Sequence, residues 1–272
     1  MNETIHTIMR RASVRAFEER AVEDELKEAI IDAAMRAPTA GNLMAYSIIE
    51  VTDREKKRRL SVSCDNQPFI AKAPLLLLFL ADYQKLFDFF EASGVRERCG
   101  EEGREIRTPG PGELMLGMSD ALIAAENAVI AADSLGLASC YIGDIFEHYE
   151  EHREMFDLPE YAFPATLLAV GYPKEEYPPK SPVPRCEKKY VHFTDSYRRF
   201  SGEEISELLE PNRRRLFPNR GLPEDTENMG LYVWKKKYDS SFMAEMERSL
   251  FAAMEPWLKG RRDDTHNDAG GG

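Results

Sequence analysis

Residues 113–143 read ELMLGMSDALIAAENAVIAADSLGLASCYIG. From Glu113 to Leu135 the stretch has helical length and is apolar almost all round. A surface helix carries a single apolar stripe, so this one belongs inside a protein. Asp120, Glu126, Asn127 and Asp133 interrupt it, which suits a protein interior and not a bilayer. Gly136 ends the helix in the manner of a left-handed cap, and a strand follows at Ala138 to Ile142. A central helix this buried does not suit a simple doubly wound sheet.

The flanking sequence supplies the other elements. Ala73 to Ala81 is apolar throughout, the pattern of a strand covered on both faces. Tyr46 to Thr52 and Ala165 to Gly171 are further strands. Glu23 to Arg36 is an amphipathic helix through Leu26, Ala29, Ile30, Ala33 and Ala34, stopped by Pro38. Asn2 to Arg11, Asp53 to Ser63 and Ile145 to Phe156 are also expected to be helical. Phe87 to Gly112 mixes glycine, proline and charge, and reads as a long loop, either a mobile surface loop or a functional lid. Beyond Tyr172 the prolines imply an extended connection. A last helix, Ser241 to Leu258, carries a stripe from Phe242 to Trp257 that is expected to cover a partner subunit. Arg261 to Gly272 is polar and is expected to be a disordered tail.

Composition narrows the function. The 272 residues hold 36 Lys+Arg against 48 Asp+Glu, a net charge of −12, which disfavours nucleic acid as a partner. No uninterrupted apolar run approaches the roughly 18–20 residues of a membrane span. The N-terminus lacks a secretory h-region, and Cys64, Cys99, Cys140 and Cys186 are widely spaced. The expected location is the cytoplasm, with no metal site. His148-Tyr149-Glu150-Glu151-His152 matches an inverted zincin pattern, but its helix is acidic and polar, and it reads as a solvated face. The chain has no G-x-G-x-x-G, G-x-x-x-x-G-K or G-x-S-x-G, so Rossmann, NTPase and common hydrolase readings fall away.

Five short stretches remain. Arg11-Ala12-Ser13-Val14-Arg15 flanks a hydroxyl with two guanidinium groups, a set suited to phosphate or an electron-rich ring edge. Ala37-Pro38-Thr39-Ala40-Gly41-Asn42 is a small-residue loop that lets backbone approach something flat. Asp65-Asn66-Gln67 offers amides, which can both donate and accept. Gly136 to Asp144 puts Ile142 and Gly143 at a strand's carboxyl end. Gly171-Tyr172-Pro173 is trailed by Lys180 and Arg185.

In this order the motifs resemble the FMN-dependent nitroreductase family: R-x-S-x-R-x-F, A-P-[ST]-x-x-N, N-Q, G-L-G-[ST]-x-x-I-G and G-Y-P with a basic pair. The resemblance covers roughly residues 1–200, the expected FMN-binding domain. Residues 201–260, with Asn228-Met229-Gly230, resemble the C-terminal extension of longer members. Three departures are visible: Asn42 is followed by Leu43-Met44-Ala45-Tyr46 and not by the frequent x-Q-P, Ala138 replaces a glycine, and Ser181 to Pro184 spread the basic pair Lys180 and Arg185.

The resemblance implies an α+β fold, a central mixed sheet flanked by helices, in an interlocked homodimer with FMN at the subunit interface. It implies that Arg11, Ala12 and Ser13, with Lys180 and Arg185, hold the phosphate. Arg15 would face the N1–C2 edge and Gln67 the pyrimidine edge. Ile142 and Gly143 would lie at the N5–O4 side, and Pro38, Thr39, Ala40 and Asn42 would come from the partner. The implied activity is ping-pong transfer of hydride from NADPH or NADH, through flavin N5, to nitroaromatics, quinones or free flavin. No catalytic side chain is needed, because the flavin carries the hydride. Two alternatives stay open: an FMN storage or sensor protein with little turnover, and a reductive dehalogenase or flavin-fragmenting member whose lid is Phe87 to Gly112.

Overall fold

A computed structural model describes residues 2–178 and 183–259. Lys180 and the 261–272 tail therefore lie outside the described residues. The chain forms two compact units, Met1–Pro179 with Glu245–Gly272, and Lys180–Ala244.

In the first unit, α1 (Glu3–Arg10) is capped by the Asn2 side chain, and α2 (Asp24–Met35) follows it. Next come β1 (Tyr46–Glu50), α3 (Arg54–Ser63, capped by Asp53) and α4 (Pro68–Lys72). Then follow β2 (Leu75–Asp82), α5 (Gln84–Ala92), α6 (Val95–Glu101) and the long α7 (Pro111–Ser134). β3 (Ala138–Ile142), a 3-10 turn at Gly143–Phe146, α8 (Tyr149–Phe156) and β4 (Ala162–Gly171) complete the sheet region. The second unit holds α9 (Gly202–Ser206), α10 (Glu210–Leu216) and α11 (Met229–Val233), with Tyr190, Phe193, Tyr197 and Phe200 in mutual ring contact. The final helix, α12 (Ser241–Lys259), begins there and ends in the first unit.

The strands lie in the order β1-β2-β4-β3, and all three pairings are antiparallel. The parallel component expected of a mixed sheet is confined, among the described residues, to the bridge Ser13–Ser139. Along β2 the side chains alternate between two cores, as the two-residue period of a strand requires. Leu75, Leu77 and Phe79 join α2 and α7 on one face. Leu76, Leu78 and Leu80 join Leu60, Ile70 and Met155 on the other. β4 begins three residues earlier than its hydrophobic run suggested and contains Pro164. Its register against β2 shifts between Phe79 and Leu80, and such a bulge accommodates a residue that has no N–H to donate.

α7 has the length and composition of a membrane-crossing helix. Its Ala121, Ala124, Ala125, Ala128 and Ala132 are nevertheless fully buried, and small side chains there let it lie close to the sheet. Gly117 is packed so closely that a Cβ would stand 3.0 Å from the Ala45 carbonyl oxygen.

Three expectations need correction. The stretch from Phe87 to Gly112 is not a long loop, because α5, α6 and the start of α7 occupy most of it. Its charges pair locally, Arg96 with Glu91 and Arg98 with Glu101 and Glu102, and Phe87 packs edge-on to Tyr161 at 5.7 Å. The expected helix from Ile145 to Phe156 is broken at His148, whose φ is 49°. The extension expected over residues 201–260 is divided, since α12 from Glu245 onward packs on the first unit. Trp257 and Ala253 are buried within this same chain, with Trp257 edge-on to Tyr161 at 5.4 Å. Of the expected partner-covering stripe Leu250 stays exposed, and Phe251 and Leu258, outside that stripe, are exposed as well.

Candidate flavin site

The segment after α1 runs beside β3. Val14 N–H donates to the Ser139 carbonyl at 2.9 Å. Ser13 and Arg15 are exposed, while Arg11 is partly buried. Arg15 lies over the Phe69 ring at 5.9 Å, which brings the first motif toward α4. The Cys140 thiol is pushed up by burial and pulled down by Arg15 and Arg11, so both cations act at the same point of β3. A pocket of about 190 Å³ opens here, lined by Ser13, Val14, Arg15, Pro173, Glu175 and Tyr177.

Gln67 precedes α4, and its amide nitrogen donates to Asp144 Oδ2 at 2.9 Å and to the Cys64 carbonyl at 3.0 Å. That bond joins the third motif to the carboxyl end of β3. Gly143 is exposed there, and a Cβ built on it meets nothing within 4 Å. Ile142 is 1% exposed and packs into the core with Ile145 and Leu167. Next to this turn Glu147 is 6% exposed, and burial, followed by Asp144, Asp65 and Glu245, pushes its carboxyl up to about 7.

The second motif is held elsewhere. Asp120 of α7 accepts from Ala40 N–H at 3.0 Å and Ala45 N–H at 3.3 Å, and Thr39 Oγ1 accepts from Met44 N–H at 3.2 Å. Gly41 and Asn42 take positive φ within this turn, and Pro38 and Asn42 are exposed. Gly171-Tyr172-Pro173 closes on the first motif, because Glu18 N–H donates to the Tyr172 carbonyl at 2.9 Å. The Tyr172 hydroxyl and Arg20 both bond Glu23, holding its carboxyl down at about 2. Arg185 belongs to the second unit.

The histidines of the zincin-like pattern do not share a face. His152 is fully buried between Ser63 Oγ at 2.8 Å and the Ile145 carbonyl at 2.9 Å, whereas His148 is exposed.

One polar group tests the site against a phosphate-bearing flavin. Arg11 Nη1 is buried with no hydrogen-bond partner among the described residues. A buried guanidinium nitrogen left unpaired is costly, and a bound anion would satisfy it. Together with the Gln67 carbonyl, left free to accept, and the open backbone at Gly143, this polar set fits FMN. Sequence reading did not find Asp144, Tyr177 or the anchoring roles of Asp120 and Asp133. The two α7 carboxylates were visible as polar breaks in an apolar helix; Tyr177 gave no signal at all.

An antiparallel sheet packed on a buried helix, with an Arg-Ser-Arg segment beside its edge strand, is the α+β arrangement that the nitroreductase resemblance implies. The model of the Nitroreductase family matches residues 8–172, and the chain belongs to that family. The chain is 36% identical over 199 residues to the FMN reductase (NADPH) of Bacillus subtilis strain 168, covering 72% of this chain and 75% of that one. The solved structure of B. megaterium NfrA2 is 32% identical and covers 92% of this chain and 98% of its own, with a TM-score of 0.71. NfrA1 nitroreductase from B. subtilis, 28% identical, covers 91% and 98% with a TM-score of 0.72.

Proposed function

We propose that this chain is an FMN-dependent NAD(P)H oxidoreductase that works as a homodimer on small, flat, electron-poor acceptors such as nitroaromatics, quinones or free flavin. The observation that carries the reading is the unpaired buried nitrogen of Arg11, two positions before exposed Ser13. Similarity to a protein named FMN reductase (NADPH) supports the choice of flavin and of donor. FMN, when bound, supplies two-electron redox chemistry between the nicotinamide and the acceptor.

The chain's own residues bind and orient. Arg11 and Ser13 take the phosphate; the roles expected of Lys180 and Arg185 rest on the family resemblance alone. Arg15 places positive charge at the ring edge where reduction builds negative charge. Gln67 accepts from the pyrimidine, and the Gly143 backbone approaches the ring without a side chain in the way. Pro38, Thr39, Ala40 and Asn42 serve the flavin of the second copy. No side chain here is assigned as acid or base, so protons come from solvent. Four free cysteines, three of them buried, support a cytoplasmic setting.

The test is direct. The purified protein should be yellow with near-stoichiometric, non-covalent FMN, and NADPH or NADH should bleach it without oxygen. Protein that fails to take up FMN at micromolar concentration overturns the proposal. Bound FMN that neither nicotinamide bleaches leaves the storage reading in its place.

A further inference from the structure

Asp133 has a side chain only 2% exposed, close to the end of the largely apolar α7. Two residues reach it from different parts of the chain. Arg10 Nε donates to Oδ1 at 3.1 Å, and the Tyr177 hydroxyl donates to Oδ2. With its proton committed to Asp133, the Tyr177 oxygen is turned to accept, and Ala12 N–H donates to it at 3.2 Å. Burial and then the bond to Asp133 push the phenol up to about 12, so it keeps that proton throughout the neutral range.

The consequence falls on the neighbouring residues. Ala12 is pinned through its N–H to Tyr177, and Val14 is pinned through its N–H to Ser139. Ser13 sits exposed between two fixed neighbours, and Arg11, with its unpaired Nη1, comes directly before them. The amide of Ala12 is spent within the protein and is not a donor to a ligand.

We propose that Tyr177, fixed by Asp133, is a positioning residue for the phosphate end of the cofactor. By taking up the Ala12 amide it sets the direction in which Arg11 and Ser13 present their donors. This inference rests on the reading of Arg11 and Ser13 as the phosphate site.

The experiment compares FMN with riboflavin, which has the same ring and no phosphate, by titration into flavin-free protein. Wild-type protein should prefer FMN. In Tyr177→Phe, which removes one hydroxyl and keeps the ring, that preference should fall about tenfold, the scale of one well-placed hydrogen bond. Riboflavin affinity should stay close to wild type, while the melting temperature falls because Asp133 Oδ2 and the Ala12 N–H lose their partner. Parallel loss of both ligands would mark a merely structural role and overturn the inference, as would an unchanged preference. Wild-type protein that binds both flavins equally would overturn the phosphate reading itself, and the inference with it.

Discussion

Gln67 commits both of its amide hydrogens inside the protein, one of them to Asp144 Oδ2 at 2.9 Å. What remains is its carbonyl oxygen, which can only accept. On a flavin pyrimidine the matching donor is N3–H. Wild-type protein should therefore bind N3-methyl FMN about tenfold more weakly than FMN, and Gln67→Ala should bind the two alike. Equal binding of both flavins to the wild type would take Gln67 away from the pyrimidine edge.

Arg15 is exposed on this chain and leans over Phe69, beyond the pinned Ala12 to Val14. A guanidinium at the ring edge favours the anionic reduced flavin over the neutral oxidised one. Arg15→Ala should lower the two-electron potential of bound FMN and slow its reduction by nicotinamide, with a smaller loss of oxidised-FMN binding. Potentiometry on the FMN-saturated variant decides the matter. A role in phosphate binding alone would leave the potential where it was.

Glu147 should show itself in the pH dependence of stability. Its carboxyl is pushed up to about 7 by burial and by Asp144, Asp65 and Glu245, and its Oε1 has no partner among the described residues. Between its ordinary value and pH 7 the folded protein holds a proton that the unfolded chain has released. Stability should therefore fall as pH rises through that window and level off above it. Glu147→Gln should lose the slope and be more stable than wild type at pH 8 by about 2 kcal/mol. Chemical denaturation of both proteins at pH 5 and pH 8 provides the check; parallel losses would refute it.

Gly171 ends β4 against a rigid neighbour. A Cβ there would stand 2.7 Å from Pro74 Cδ and 3.1 Å from Phe17 Cδ1. A proline ring cannot turn aside as a flexible side chain can. Gly171→Ala should cost about 1–3 kcal/mol, the range for an overpacked core, and should displace Phe17 with the first motif. A melting temperature equal to wild type would show that the backbone yields more easily than this packing allows.

The sequence made the sheet's centre easy to read. The apolar run that becomes β2 can only be buried on both faces, and the structure divides its leucines between two cores. Arg11, Ser13, Arg15 and Gln67 stood out because few arrangements of Arg, hydroxyl and amide recur in that order, and the structure brings their segments to β3 and the turn after it. The helices α5 and α6 were not legible: their arginines and glutamates pair with near neighbours, and surface charge of that kind looks the same in a loop. Tyr177 was hidden for another reason. Its partners stand 44 and 165 positions away, and no local pattern encodes such a contact.

Asp120 and Asp133 lie thirteen positions apart on α7, one holding the loop around Ala40 and the other holding Tyr177 and Arg10. At about 1.5 Å and 100° per residue they are separated by about 20 Å and lie on nearly opposite sides of the helix. The helix between them is thus a spacer with a fixed phase. Substitution of one small apolar residue for another leaves that phase alone. Deleting a single residue between them rotates one carboxylate by about 100° relative to the other, so that Asp120 and Asp133 can no longer both meet their partners. This part of the chain can vary in composition but not in length.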